Sequence, residues 1–389
     1  MKLVYVQNEY PVLSQTFVSN EISELRRRGI DVYVVASRRG ARFEGSDTDQ
    51  PDLVLNEVGV RRLLTSHARL AAKAPRVYAR YLGWLARRGP SFLPWAFHVP
   101  FIWSCVPYCA DVHIHTHFAT RAAGVAEGLR EILGATRSVT LHASDLYSNP
   151  RLSLQIENAS LCTVTEHNQR YLEALNLDNG HLVRCGLDLT RFESSNRDRV
   201  ESGLLVSVGR LVPKKGHDRL IRWLGSEAGS PYRLRIVGSG PEHGPLADLV
   251  EDLGLSDRVQ LVGAQPPSAV IEEVSRADVF ALACRVDDAG DADGLPVVLL
   301  EAALIGTPVV STNVTGISEF LSEQTGYLAQ HDDETDLHRA LLGALTDPAR
   351  DVRARRARAL VMEKFTVQAQ VDALIRAISQ ARDAPVNDD

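Results

Sequence analysis

Several things are scarce in this chain of 389 residues, and each scarcity narrows what it can be. Cysteine occurs five times (Cys105, Cys109, Cys162, Cys185, Cys284), an odd number without a C-x-x-C pair. That argues against a disulfide framework or a zinc knuckle, and for reduced thiols in a cytoplasmic protein. No apolar run approaches the roughly 20 residues that a membrane span needs, so no transmembrane helix is expected. The opening MKLVYVQNEYPVL is too short and too polar to read as a signal peptide. Surplus basic charge is missing too: 43 Lys and Arg stand against 49 Asp and Glu, which argues against general nucleic-acid binding. The first turn, NEYPVLSQTF, is not a G-x-G-x-x-G fingerprint, so the first half lacks the signal for dinucleotide phosphates. Acid is absent from one long stretch. Val58 to Ala110 holds no Asp or Glu but carries Arg61, Arg62, Arg69, Lys73, Arg76, Arg80, Arg87 and Arg88, with aromatic residues from Tyr78 to Trp103 interleaved. The plainer reading, which we prefer, is helices with a solvated basic face and aromatic core contacts. The sharper one is weak peripheral contact with anionic lipid or with a phosphate-bearing acceptor over 61–104.

What is present is an alternation of strands and helices in a chain too long for one core. Short apolar runs predict strands over Lys2–Gln7, Asp31–Ala36, Val112–His115, Arg137–Leu141, Leu161–Thr165 and His181–Arg184. Helices are predicted over about Gln15–Arg28, Arg121–Leu133 and His167–Leu175, and Ser144–Ser148 reads as a turn. A second series starts at Leu204, with strands at 204–208, 232–237, 258–262, 278–282 and 326–329. Its helices fall at 217–225, 242–252, 267–275 and about Pro296–Leu304, followed by 334–345 and 351–364. The expected class is α/β, two Rossmann-like domains: 1–186, a linker 187–202, and 203–364. The apolar spacing of 365–381 predicts a C-terminal helix packing back towards the first domain, and 382–389 is a tail. In open α/β sheets ligands bind outside the carboxyl ends of the strands, so the two sheets are expected to face a cleft with those edges.

The residues that could carry chemistry lie at such edges. In SVGRLVPKKG (Ser207–Gly216), Arg210 and Lys215 follow a strand and precede a helix, where a phosphate is welcome. Gly209 and Gly216 flank them and are read as letting backbone approach a ligand. Gly238 and Gly240 end the neighbouring strand. The loop DDAGDADG precedes an apolar helix in which Pro296 is expected as the first residue and Glu301 lies about 7–8 Å along the axis. Asp293 lies just outside the helix N-terminus, where the positive dipole end falls between the two carboxylates. A ligand with hydroxyls at each end and a diphosphate between them fits that order. Taken singly, Glu301 can be the partner of a buried Arg, and Asp293 a helix-cap acid. An Asp-x-Asp metal clamp of Asp291 and Asp293 is non-specific, and no divalent metal is expected. In the first half, His142 follows a strand, with Asp145 three residues on. A metal set of His115, His117 and His142 lacks an identifiable fourth ligand.

Together these segments resemble the retaining GT-B glycosyltransferases of family 4. GRLVPKKG resembles the donor-phosphate motif. DGLPVVLLEAALIGTPVV, with Asp293 and Glu301, resembles the E-x7-E motif, its first acid one methylene shorter. GISEF and Gly326 match the segment that follows. TLHASD resembles the first-domain histidine motif, EYPVLSQTFVSNEI the start of an exopolysaccharide branch, and VRCGLDLTRF the interdomain segment. The resemblance implies a metal-independent hexosyl transfer from a nucleoside-diphosphate sugar to an acceptor hydroxyl, with retention. It implies an acceptor domain 1–186 and a donor domain 203–364. Arg210 and Lys215 would bind the diphosphate, Glu301 the ribose, and His142 and Asp293 the transferred sugar. Gly209, Gly238, Gly240, Gly294, Leu295 and Pro296 would line the donor site. Ser14, Gln15, Thr16, His117 and Asp145 are acceptor-side candidates. The acceptor is expected to be a lipid-linked oligosaccharide or a soluble natural product such as an aminocyclitol of antibiotic biosynthesis. Competing readings are a nucleotide-sugar epimerase of the same fold and a non-catalytic nucleotide-sugar binding subunit.

Overall fold

The computed structural model describes residues 1–40, 50–88, 92–106, 111–177, 180–193, 195 and 197–383. Cys109 and the end of the tail, 384–389, lie outside the described residues. The chain divides into two units. The first comprises Met1–Val164, Gln169–Arg184 and the C-terminal segment from Val367; the second comprises Thr165–Asn168 and Cys185–Thr366.

The first unit is built on a parallel sheet of β1 (Lys2–Tyr10), β2 (Asp31–Arg39), β3 (Leu53–Val54), β4 (Val112–His117), β5 (Thr136–Leu141), β6 (Ser160–Thr163) and β7 (Gly180–Leu182), in the order β3-β2-β1-β4-β5-β6-β7. Lys2 to Gln7 is buried without interruption, as a strand covered on both faces must be. Several strands run further than their apolar runs do. The polar ends of β1 and β4 are held by ladder bonds and tertiary contacts that hydropathy does not report. Ser144–Tyr147 is one helical turn rather than an open one. The helix Thr16–Arg27 turns Phe17, Val18, Ile22 and Leu25 inward, and Glu21 and Glu24 with them. In the acid-free stretch the helices Val60–Lys73 and Pro75–Arg88 send Leu63, Leu70, Tyr81 and Trp84 into the core. Arg61, Arg62, Arg69, Arg76, Arg80 and Arg87 stay exposed. The Tyr81 hydroxyl donates to the carbonyl of Ala96 at 2.9 Å. The last helix, Val367–Asp383, packs on Thr16–Arg27 and over β5 and β6. Arg28 pairs with Asp372 across that contact at 2.5 Å.

The second unit has the parallel order β10-β9-β8-β11-β12-β13, with β8 at Glu201–Val208, β9 at Arg233–Val237, β10 at Val259–Gly263, β11 at Ala277–Leu282, β12 at Val309–Asn313 and β13 at Tyr327–Gln330. The helix Val297–Ile305 carries Leu299, Leu300, Leu304 and Ile305 and is apolar all round. It is enclosed by the helices Pro267–Arg276 and Arg350–Lys364 and by β11 and β12. Each of these leucines contributes about 2 kcal/mol by burial. Pro296 is not the first helical residue. With ψ at 119° it is the extended residue just before the helix, and the helix closes at Gly306, whose φ of +92° suits glycine. Among the described residues no helix is long and apolar enough to cross a membrane.

Candidate functional site

In each sheet the strand order reverses once, between β1 and β4 and between β8 and β11. The carboxyl ends of strands flanking such a reversal open a crevice, because their connections leave to opposite sides. The sequence places its chemistry at both reversals.

In the second unit, β8 leads into Gly209-Arg210 and β11 runs on towards the acidic loop. Arg210 is exposed, but Lys214 and Lys215 are buried. Lys215 Nζ lies 2.8 Å from Asp293 Oδ2. Lys214 Nζ lies 2.8 Å from Asp291 Oδ2 and 3.6 Å from Asp293 Oδ1. The two acids are therefore paired with lysines, and Asp293 sits among the cations rather than beyond them. Burial works to raise the Asp293 carboxyl, yet Lys215 and Lys214 hold it below its ordinary value. Burial likewise opposes the Lys215 charge, and Asp293 more than restores it.

Three of these glycines are set by packing. A Cβ on Gly216, at φ +65°, would lie 1.8 Å from the carbonyl oxygen of Ala283. One on Gly238 would meet the carbonyl of Gly209 at 1.8 Å, and one on Gly240 that of Leu211 at 2.3 Å. These contacts seat the turn after β9 against the turn after β8. Gly216→Ala should therefore cost about 2–4 kcal/mol of stability, read from urea unfolding. A loss within 0.5 kcal/mol, the scatter of an ordinary surface change, would contradict this packing.

Gly294 and Leu295 bridge the acidic loop to the buried helix. Thr315 donates to the carbonyl of Gly294 at 2.7 Å, and the amide of Gly316 donates to the same carbonyl at 3.0 Å. Glu301 is half-buried. Among the described residues its carboxylate has no hydrogen bond or ion pair, so the alternative of a buried Arg partner is not met there. Burial raises it above the usual range, and Arg191 opposes this only from a distance. A desolvated carboxylate without a partner is costly and points to a ligand.

In the first unit, Ser14, Gln15 and Thr16 form the turn between β1 and the first helix, and His117 ends β4. His142 follows β5, its ring stacked on Phe118 at 4.0 Å between centroids and tilted against Phe17 at 4.9 Å. Phe118 adopts φ +67°, a strained setting for a bulky residue that its surroundings must hold. His117 Nδ1 lies 3.2 Å from His142 Nε2, and His117 Nε2 lies 2.9 Å from Glu21 Oε1. Burial and the two neighbouring imidazoles hold His142 well below its ordinary pKa. Asp145 is buried, and its oxygens accept from the amides of Ala119 at 2.8 Å and His142 at 3.0 Å. It fixes the backbone under His142 and is not displayed to an acceptor. The donor set that converges is Glu21, His115 and His117, with ligand atoms within 4.8 Å of one another, rather than the three histidines. These are metal-binding residue types. However, Glu21 Oε1 already accepts from Tyr5 at 2.6 Å, and both His115 nitrogens face hydroxyls, those of Ser138 and Thr140.

Sequence reasoning missed Glu21 and Gln370. The available signal was a carboxylate on the apolar face of an amphipathic helix, four residues after Phe17.

Residues 190–360 match the family model described as Glycosyl transferases group 1. The matched stretch falls within the second unit. The chain is 27% identical over 375 residues to the amylovoran biosynthesis glycosyltransferase AmsK of Erwinia amylovora, covering 88% of this chain and 90% of that one. A GDP-mannose-dependent α-(1-6)-phosphatidylinositol monomannoside mannosyltransferase of Mycolicibacterium smegmatis is 35% identical over 178 residues, 42% of this chain and 47% of its own. In structure, Anabaena Alr3699/HepE, solved with UDP, superposes with a TM-score of 0.71 at 17% identity, covering 98% of this chain and 100% of that one. The GT-B glycosyltransferase fold, two Rossmann-like α/β domains, is that of this chain.

Proposed function

We propose that the protein is a retaining glycosyltransferase that moves a hexosyl group from a nucleoside-diphosphate sugar to a hydroxyl of a growing glycan. The observation that carries the reading is Glu301: a half-buried carboxylate with raised pKa and no partner among the described residues, on the helix behind the Lys215–Asp293 pair. Glu301 accepts from the ribose hydroxyls. Arg210 and Lys215 face the diphosphate, and Asp293 Oδ2 and His142 take the hydroxyls of the transferred sugar. As the glycosidic bond breaks, negative charge grows on the leaving phosphate, and fixed cations aimed at it stabilise the transition state. Arg210 and Lys215 supply that charge, so the reaction needs no metal. The leaving phosphate assists deprotonation of the acceptor on the same face, which gives retention. A lipid-linked oligosaccharide is the acceptor class that agrees with the polysaccharide-biosynthesis relatives.

Thermal-shift screening against UDP-, GDP- and dTDP-sugars tests the donor. The true donor at a hundred times its Kd should stabilise the fold by about 2.7 kcal/mol. Product analysis then tests the reaction: donor should be consumed with a glycan acceptor present, and the product linkage should keep the donor's anomeric configuration. A donor converted to its epimer without acceptor, or no stabilisation by any nucleotide sugar, would overturn the reading.

A further inference from the structure

The acid-free stretch of the first unit folds into two successive helices, Val60–Lys73 and Pro75–Arg88, which pack on each other with Ala74 alone between them in sequence. Leu63, Leu70, Tyr81 and Trp84 are turned into the core. Residues four and seven apart share one side of a helix. By that spacing Arg62, Arg69 and Lys73 line one side of the first helix, and Arg76, Arg80 and Arg87 one side of the second, all six exposed. Among the described residues none of these six side chains forms an ion pair. Arg88, turned inward, does find a partner, Glu157 at 2.5 Å, and lies over the Trp84 ring. Four apolar side chains stand exposed in the same stretch: Val60 at 67%, Leu64 at 55%, Leu82 at 45% and Leu93 at 47%. Its described aromatic residues are not exposed. Tyr78, Phe92, Trp95 and Trp103 pack against the core instead.

We propose that these two helices form a docking surface for an anionic lipid membrane, on which the arginines meet headgroup phosphates while Val60, Leu64, Leu82 and Leu93 enter the layer beneath. The inference is independent of the transfer reaction, and its failure leaves that reading standing. Charge complementarity carries it. The chain as a whole has a net charge of −6, yet this stretch holds basic groups without a single acid. An unpaired arginine on a surface keeps its planar fork of donors for a phosphate. Its alkyl stem can lie along apolar surface while the charged head stays at the polar boundary. Arginines interspersed with exposed leucines therefore match a headgroup layer with hydrocarbon below it. A nucleic acid or an acidic glycan offers the anions but no apolar layer for the leucines. Singly exposed leucines alone would mean nothing. Here Val60, Leu64 and Leu82 share two helices with six unpaired cations, and each basic residue near an anionic bilayer strengthens binding by a factor of about five.

Flotation of the full chain with vesicles of phosphatidylglycerol and phosphatidylcholine in equal parts, against vesicles of phosphatidylcholine alone, tests the proposal. Wild type should float with the mixed vesicles and not with the neutral ones. Its affinity should fall by about tenfold or more as salt rises from about 0.05 to about 0.5 M. The combined variant Arg62→Gln, Arg69→Gln, Arg76→Gln and Arg80→Gln should weaken binding by about a hundredfold or more. Its unfolding midpoint should not move, because these side chains are exposed and unpaired. Leu64→Ser with Leu82→Ser should weaken binding by about tenfold and keep the salt dependence. That pair decides the matter if the arginine variant does not fold. Changing the exposed Arg355, Arg356 and Arg358 of the helix Arg350–Lys364 to Gln should leave binding within about twofold. Equal binding to both kinds of vesicle, binding to neither, or no loss in the arginine variant would overturn the proposal. An equal loss on changing Arg355, Arg356 and Arg358 would overturn it too, since charge anywhere on the chain would then serve. Vesicle binding unmoved by the leucine changes, beside heparin bound as tightly, would overturn it in favour of a polyanion.

Discussion

Glu301→Gln should be a more stable protein and a far poorer enzyme. The carboxylate is desolvated by the helix and strands around it and has no partner among the described residues. In the free protein its charge is therefore a liability that the amide removes. Because burial raises its pKa, the folded state keeps the Glu301 proton to higher pH than the unfolded chain does. Wild-type stability accordingly falls as pH rises from the unfolded value near 4.5 through the folded one, and that loss is fully present at neutral pH. The gain in Glu301→Gln should appear over that window and vanish in acid below it. In the complex the balance inverts. Two ribose hydroxyls donating to an ionised carboxylate are worth roughly 1.5–3 kcal/mol each, so the amide should lower kcat/KM by about 10²–10³-fold. The loss should fall mainly on KM, since the ribose is bound alike in ground and transition states. Urea unfolding at pH 4 and pH 7.5, with donor-dependence of the rate, checks both halves. A destabilised Glu301→Gln with near-wild-type kcat/KM would mean that the carboxylate is structural.

The features legible in the sequence were those written in local pattern. The period of the apolar runs places most strands and helices within a few residues. Asp293 and Glu301 stand out because an acid near or within an apolar helix violates the hydropathy pattern around it. What escaped was pairing at a distance. Nothing in GRLVPKKG says that Lys214 and Lys215 leave solvent for Asp291 and Asp293. That pairing follows from β8 and β11 being neighbours at the strand-order reversal. Nor does GSGP announce that its glycines meet backbone carbonyls. Glu21 escaped because its partners, Tyr5, His117 and Gln370, are drawn from the first strand, the fourth strand and the last helix. Gln370 alone is separated from it by 349 positions.

Lys215→Met is expected to fail in two separable ways, and the separation identifies what the buried lysine is for. Its ammonium lies 2.8 Å from Asp293 Oδ2, with both side chains largely buried. Removing it leaves Asp293 with Lys214 at 3.6 Å as its nearest cation. Burial, which opposes the Asp293 charge, is then only partly offset, and stability should drop by about 2–4 kcal/mol. The pH dependence carries the same signature. Wild-type Asp293 has a depressed pKa, so its contribution is present above the unfolded carboxyl value near 3.8 and is lost as pH falls through the folded one. In Lys215→Met that acid-side contribution should shrink or reverse. Turnover should fall by about 10²–10³-fold in kcat, because the cation acts on charge that grows on the leaving phosphate. Adding Asp293→Ala removes the unpaired carboxylate, so the double variant should regain much of the lost stability while gaining no turnover. Arg210→Ala completes the comparison. Arg210 is exposed and forms no ion pair among the described residues, so its loss should leave unfolding unchanged while still lowering kcat. A double variant that recovers activity together with stability would reduce Lys215 to a counter-ion for Asp293 and remove it from the phosphate.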